Sequence, residues 1–138
     1  LSRLLHPQTK LLVLNLPHNP TGASLTTLDF KKICDLATAS GTRIFCDEMY
    51  RGLEHVDAAC PPSGAWPGSY ALPSAVEICP NAVVLGGMSK VFGMPGIRLG
   101  WLVTRDSSLM QRVNQLKDYT TICPATPSEL LAIIGLRA

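Results

Sequence analysis

The sequence has little charge and few aromatic residues. Only 16% of its 138 residues are charged and 6% are aromatic, whereas 46% are hydrophobic. About 25% charged residues is usual for a soluble domain. The formal net charge is +2, and no cluster of Lys and Arg is dense enough to neutralise a row of phosphates. Nucleic acid is therefore not expected as a partner, and the low charge predicts a surface that other protein covers.

Long hydrophobic runs are also missing. Apolar runs such as residues 11–14 and 82–85 fall far short of the roughly 18 residues that indicate a membrane span. The sequence therefore predicts a soluble protein without a membrane partner. The chain opens on Leu1 without a targeting pattern, and residues 128–134 begin a helical pattern that has neither cap nor Gly stop. These ends predict a piece of a longer chain.

The sequence also lacks cysteine and histidine motifs with the spacing of metal ligands. The cysteines are Cys34, Cys46, Cys60, Cys79 and Cys123. They form no CxxC pair, and their odd number leaves one outside any disulfide scheme. The histidines, which are not spaced as metal ligands, are His6, His18 and His55. We therefore expect reduced thiols in a cytoplasmic protein and no metal site.

The sequence does contain an alternation of apolar runs and amphipathic stretches. Residues 11–16 predict a central strand that is buried on both faces. A helix is predicted to begin near Ser24, Thr26 or Thr27 and to run to about Ser40, where Gly41 ends it. Residues 42–46 predict the next strand. Strand, helix and strand in this order indicate a parallel βαβ unit.

The second half of the chain continues the pattern. A loop rich in Pro and Gly is predicted at residues 56–73, strands at 82–85 and 97–104, and a helix at 106–118. The expected fold class is α/β, a three-layer α-β-α arrangement with a mainly parallel sheet. Asn19, Asp47 and Lys90 each follow a predicted strand. Because such sheets bind ligands outside the carboxyl ends of their strands, these three residues are expected to converge on one crevice.

Three segments carry recognisable motifs. Residues 19–22 read Asn-Pro-Thr-Gly, residues 47–50 read Asp-Glu-Met-Tyr, and residues 89–101 read Ser-Lys-Val-Phe-Gly-Met-Pro-Gly-Ile-Arg-Leu-Gly-Trp. In this order they resemble the successive signatures of class I/II aminotransferases, which are pyridoxal phosphate (PLP) enzymes of fold type I. The resemblance implies that residues 1–138 form the central part of the large PLP-binding domain. The N-terminal segment and the C-terminal small domain of the family are absent from them.

The resemblance implies that Lys90 is the catalytic residue. It would bind the PLP aldehyde and then move a proton between the substrate carbon and the cofactor carbon, tasks that need the free amine. Asp47 would pair with the ring nitrogen and keep it protonated. Glu48 points the other way by strand alternation and is given no catalytic role. Small residues are expected to clear space for a ligand around the lysine, namely Gly86, Gly87, Ser89 and Gly93.

The remaining cofactor contacts implied by the resemblance are Asn19, Tyr50 and Arg98. Asn19 and Tyr50 would both donate hydrogen bonds to the phenolic oxygen of PLP, and the Asn19-Pro20 bond is expected to be cis. Arg98 would bind the phosphate, because its planar fork of donors suits that geometry. An arginine inside the apolar strand predicted at 97–104 favours this role. The phosphate serine common among relatives is replaced by Gly87.

The resemblance also implies the substrates, an amino acid and a 2-oxo acid, and a homodimer in the full-length protein. Elements that family members supply from outside this region are an aromatic ring that stacks on PLP, a phosphate loop and an arginine for the substrate carboxylate. We therefore expect little activity from residues 1–138 alone. Carbon–sulfur elimination, cyclopropane closure and a non-catalytic PLP-sensing domain use the same motifs and remain alternatives.

Overall fold

The structure is a computed structural model that describes residues 1, 3–54 and 72–137. Its strands are β1 (Leu11–Asn15), β2 (Arg43–Asp47), β3 (Ala82–Gly87) and β4 (Gly100–Thr104). Its α-helices are α1 (Thr27–Ala39), α2 (Ala75–Ile78), α3 (Ser107–Thr120) and α4 (Thr126–Arg137). Most of the loop predicted at residues 56–73 lies outside the described residues, as do His55 and Cys60.

The strands form one sheet in the order β1-β2-β3-β4. The pairs β1–β2 and β2–β3 are parallel, and β3–β4 is antiparallel. The predicted mainly parallel α/β sheet is therefore confirmed. The fourth strand was predicted to begin at residue 97, which is wrong, because a 3-10 helix occupies Pro95–Ile97 and Arg98 has a φ of 53°. An extended strand needs a negative φ, so Arg98 lies outside β4.

One face of the sheet carries the hydrophobic core. From α1, Phe30, Cys34 and Ala37 are buried against Ile44 and Cys46 of β2, and α2 packs on the same side. Because side chains alternate along a strand, Phe45 and Asp47 of β2 point to the opposite face. The apolar side chains of α1 therefore determine which face of the sheet is covered and which face is left for a site.

The opposite face is covered only in part by the described residues. Helix α3 lies over β3 and β4, where a cavity of about 500 Å³ separates its side chains from Leu85 and Leu102. The predicted three-layer arrangement is thus present. On β1, however, Leu11 and Val13 are 49% and 62% exposed. The prediction that this strand is buried on both faces is wrong for the described residues. Strand β1 is an edge strand there, and α3 covers only β3 and β4 at the other edge of the sheet.

Helix α4 packs against the turn that precedes β4. Ala132 is buried, and a Cβ added at Gly135 would lie 2.8 Å from Met94 Sδ. Several apolar side chains of α4 point to solvent instead, namely Leu130, Leu131, Ile133, Ile134 and Leu136. Within the described ranges, no helix has the length and apolar character needed to cross a membrane.

Candidate active site

A cavity of about 440 Å³ opens at the carboxyl ends of β1 and β2. Its polar lining residues are Asn15, His18, Asn19, Asp47 and Tyr50. The parallel register places the last residues of the two strands, Asn15 and Asp47, side by side. The volume lies within the range of about 300 to 1,000 Å³ that small-molecule sites occupy. This cavity is where ligands of an open α/β sheet are expected to bind.

Asn19 reaches into this cavity from the loop after β1. Its side-chain Nδ2 donates a hydrogen bond to Tyr50 Oη at 2.9 Å. Its backbone N–H donates to Asn15 Oδ1 at 2.7 Å. The Asn19-Pro20 peptide bond is cis, as the family resemblance implied, and so is Leu16-Pro17. The amide of Asn19 and the hydroxyl of Tyr50 thus stand together, although they are 31 positions apart in the chain.

Asp47 forms the wall of the cavity at the end of β2. Its Oδ1 accepts a hydrogen bond from the backbone N–H of Met49 at 3.0 Å. This contact fixes the carboxylate at the turn that leads to Tyr50. A carboxylate in this half-buried place can accept a further hydrogen bond from a protonated ring nitrogen of a ligand.

Lys90 follows β3 and approaches the same residues from another direction. Its Nζ lies 5.4 Å from the centroid of the Tyr50 ring, a cation–π distance. The backbone turns tightly behind it, because the Gly93 N–H donates to the Lys90 carbonyl at 2.9 Å and Gly93 has a φ of 64°. The lysine side chain is exposed in this chain. The amine therefore lies beside Tyr50, which is one of the residues that line the cavity.

The glycines before Lys90 serve the packing of the protein rather than a ligand. A Cβ at Gly86 would lie 2.5 Å from Trp101 Nε1, and one at Gly87 would lie 3.0 Å from the Leu99 carbonyl oxygen. The prediction that these two glycines clear space for a ligand is wrong, because β4 and its indole occupy that space. At Gly93, by contrast, nothing lies within 4 Å.

Arg98 stands apart from the cavity-lining residues. Its Nη1 donates to the Pro95 carbonyl oxygen at 2.9 Å, and its side chain is exposed. The guanidinium is thus held within its own turn. Of the five residues predicted for the site, Asn19, Asp47 and Tyr50 line the cavity and Lys90 lies over the Tyr50 ring. Arg98 is instead hydrogen-bonded within its own turn.

Glu48 faces the other side of the sheet from this cavity. Its Oε1 accepts hydrogen bonds from the Ala75 N–H at 2.7 Å and from Ser74 Oγ at 3.1 Å. Arg51 Nε lies 3.7 Å from its Oε2, and the Glu48 side chain is only 8% exposed. Burial raises the pKa of Glu48 above its ordinary value, and these hydrogen bonds offset part of that rise. Glu48 therefore anchors α2 and takes no place in the cavity.

The buried thiols form no reactive centre. Cys34, Cys46 and Cys79 are free and buried. Burial, and to a smaller extent the neighbouring Cys79, raises the pKa of Cys34 to about 12, and burial also raises the pKa of Cys46. Both thiols therefore stay protonated near neutral pH. In the part of the chain that the structure describes, no three His, Cys, Asp or Glu side chains group as metal ligands.

Two cavity residues were missed by sequence reasoning. Asn15 interrupts the apolar run at 11–16, and its place at the end of a predicted strand was the available signal. His18 lines the cavity and its Nδ1 lies 2.7 Å from Thr21 Oγ1. Nothing in the spacing of the histidines distinguished His18 from the others.

Comparison with known proteins shows which family the chain resembles. The family described as Aminotransferase class I and II matches residues 1–135. The chain is 29% identical to aromatic-amino-acid aminotransferase 2 of Thermococcus litoralis over 99% of this chain and 33% of that protein. It is 34% identical to valine–pyruvate aminotransferase of Mycobacterium tuberculosis over 92% of this chain and 30% of that protein.

Solved structures show the same fold. A PLP-dependent aminotransferase from Streptococcus suis superposes with a TM-score of 0.78 at 27% identity, covering 95% of this chain and 31% of that one. The chain thus spans about a third of the length of the relatives that it matches. With the family matched over nearly all of its residues, this chain belongs to the class I and II aminotransferases.

Proposed function

We propose that the protein transfers an amino group between an amino acid and a 2-oxo acid with PLP as cofactor. Residues 1–138 span about a third of each relative and, as the family resemblance implies, would form the central part of its large cofactor-binding domain. The observation that carries the proposal is a cavity lined by Asn19, Asp47 and Tyr50, with Lys90 Nζ 5.4 Å from the Tyr50 ring. These side chains supply the amine, the carboxylate and the two hydrogen-bond donors that PLP chemistry uses.

The donor set around the cavity fits PLP. When bound, PLP supplies an aldehyde and an electron-accepting ring. Lys90 Nζ would hold the aldehyde carbon and later carry a proton to or from the substrate carbon. The Asp47 carboxylate would accept the proton of the ring nitrogen in a charge-assisted hydrogen bond, which keeps that nitrogen protonated.

Asn19 and Tyr50 would bind the phenolic oxygen of the cofactor. They already share a hydrogen bond of 2.9 Å, so one ligand oxygen can reach both of them. Arg98 would bind the phosphate by giving up its 2.9 Å hydrogen bond to the Pro95 carbonyl. This exchange replaces a neutral acceptor with an anion, which strengthens the contact. Position 87 is a glycine, so it supplies no side-chain hydroxyl to the phosphate.

Substrates and partners are proposed at the level of their class. The relatives named above act on different amino acids, aromatic ones and valine, so the family fixes an amino acid and a 2-oxo acid but no side chain. We propose a cytoplasmic location because the four cysteines within the described residues are free thiols. A homodimer would cover the exposed apolar residues of α4.

The function is tested on the longer protein that contains residues 1–138. Amino transfer from a panel of amino acids to a 2-oxo acid is measured for wild type, for Lys90→Ala and for Lys31→Ala. Lys31 is an exposed lysine of α1 and is the matched control. Loss of the proton-transfer group is expected to lower the rate by about 10²- to 10⁴-fold, and Lys31→Ala should leave it unchanged.

Other outcomes point to the alternatives. Release of ammonia from a sulfur-containing amino acid, or closure of a ring, without amino transfer would identify another PLP reaction of the family. PLP binding without turnover of any substrate would indicate a sensing domain. Residues 1–138 alone are expected to be inactive, and measurable amino transfer by them would contradict the assignment of a partial domain.

A further inference from the structure

We propose that Asn15 is a positioning residue that sets the hydrogen-bonding pair Asn19–Tyr50 toward the cofactor oxygen. This inference rests on the proposed function. Asn15 is the last residue of β1, is half-buried and lines the cavity. It is the polar residue in an otherwise apolar strand, where a side chain needs hydrogen-bond partners.

The two ends of the Asn15 amide contact two different elements of the site. Oδ1 accepts a hydrogen bond from the Asn19 N–H at 2.7 Å. Nδ2 makes a long contact of 3.5 Å with the Asp47 carbonyl oxygen. Because Asn15 and Asp47 are partners in the parallel register, the amide joins the loop after β1 to the end of β2. Asn15 therefore links the loop that carries Asn19 to the strand that carries Asp47.

The chain of contacts continues from Asn19 to the other site residues. Asn19 Nδ2 donates to Tyr50 Oη at 2.9 Å, and Lys90 Nζ lies over the Tyr50 ring at 5.4 Å. The loop can pivot about the end of β1 if Oδ1 of Asn15 is removed, because the Asn19 N–H then loses its acceptor. Tyr50 would lose its partner as a consequence.

The neutral amide matters as well as its shape. Aspartate at position 15 would keep an acceptor for the Asn19 N–H. It would also place a second carboxylate next to Asp47, because the two residues are paired in the register. Negative charge at that place disfavours negative charge on a bound phenolic oxygen. The two substitutions Asn15→Leu and Asn15→Asp therefore separate geometry from charge.

The first measurement needs no cofactor. Hydrogen exchange of the Asn19 amide is followed in wild type, Asn15→Leu, Asn15→Asp and the control Asn114→Leu, which makes the same change at an exposed position of α3. Loss of one hydrogen bond is expected to speed exchange in Asn15→Leu by about fivefold. Asn15→Asp and Asn114→Leu should stay close to wild type.

The second measurement concerns the bound cofactor. PLP is added to the longer protein that contains residues 1–138, as wild type and as each variant. The pH midpoint of the absorption change of the Lys90–PLP linkage is then determined. Donors on the phenolic oxygen draw off negative charge that otherwise holds a proton on the neighbouring nitrogen. The midpoint is therefore expected to rise in Asn15→Leu, corresponding to about a tenfold tighter hold on the proton. In Asn15→Asp it should rise as well, without faster exchange at Asn19.

The outcomes distinguish the two proposals. If wild type forms no linkage with PLP, the proposed function is wrong. If wild type binds PLP but both variants keep its midpoint, only the positioning role of Asn15 is wrong. Asn15→Asp retains the acceptor and serves as the test should Asn15→Leu fail to fold. A residue that merely stabilises β1 would lower the unfolding temperature without moving the midpoint.

Discussion

Gly86 shows how a single residue sets the approach of β3 and β4. It is the register partner of Trp101, and an added Cβ would lie 2.5 Å from the indole Nε1. The indole also meets the ring of Phe92 edge-on, with centroids 6.2 Å apart. Trp101 therefore cannot move away without losing this contact.

Replacing Gly86 with alanine tests this packing. Gly86→Ala is expected to lower the free energy of unfolding by about 1 to 3 kcal/mol, because the extra methyl group overpacks a filled space. Gly96→Ala is the matched control, since nothing lies within 4 Å of a Cβ there. Unfolding in urea measures both variants. Equal stability of the two would contradict the packing role of Gly86.

From the sequence, roles for single residues could be proposed more readily than their contacts. The motifs at residues 19–22, 47–50 and 89–101 led to the prediction of Asn19, Asp47, Tyr50 and Lys90 as site residues, because each motif contains particular side chains. The role of Asn15 depends on contacts with Asn19 and Asp47, which only the folded register brings about. Arg98 was placed in a strand because its apolar neighbours masked a left-handed turn.

At the scale of elements, α1 begins at a residue that the sequence named as a candidate cap. Thr26 Oγ1 accepts a hydrogen bond from the Asp29 N–H at 3.1 Å. Thr26→Ala is expected to cost about 1 kcal/mol of stability, because that N–H loses its partner. Thr27→Ala, one position further and inside the helix, is the control and should cost less. Thermal unfolding followed by circular dichroism compares them, and equal losses would argue against the cap.

Helix α2 depends on the buried carboxylate of Glu48. Burial raises its pKa above the ordinary value of 4.5, so the folded chain holds this proton more tightly than the unfolded chain does. The resulting stabilisation is present in full below pH 4.5 and is lost as the pH rises through the raised pKa. A neutral residue of the same shape should lack this dependence.

Glu48→Gln provides the measurement. The stability of this variant relative to wild type is expected to increase from pH 4 toward pH 7. Only wild type has a carboxyl group at position 48 that loses a proton in that interval. Urea unfolding at several pH values determines the difference. Glu129→Gln, at an exposed position of α4, is the control and should show no comparable trend. A difference that stays constant with pH would show that burial of Glu48 does not perturb its titration.

Strands and long helices were predicted to within a few residues, and the exceptions have physical causes. The alternation and length of apolar runs located β1, β2, β3 and α1 because those signals are local. Helix α2 has four residues and is held by Glu48 from a distant part of the chain, so no local pattern indicated it. The start of β4 was placed too early because Pro95–Ile97 form a 3-10 helix.

At the scale of the whole molecule, the described residues form a sheet with its hydrophobic core on one face and a cavity at the carboxyl ends of β1 and β2. This arrangement agrees with a cofactor-binding domain. The chain spans about a third of its relatives, and apolar residues of β1 and α4 are exposed. Low charge in the sequence predicted such a surface. What covers it could not be predicted, because composition describes one partner of a contact and not the other.

The central claim is that Lys90 carries the cofactor. PLP is added to the longer protein that contains residues 1–138, the linkage is reduced with borohydride, and the modified peptide is identified by mass spectrometry. Wild type and Lys31→Ala are expected to carry the label on Lys90, and Lys90→Ala is expected to carry none. Label on any other lysine of wild type would contradict the account. So would a Lys90→Ala variant that still shows the absorption band of the PLP linkage.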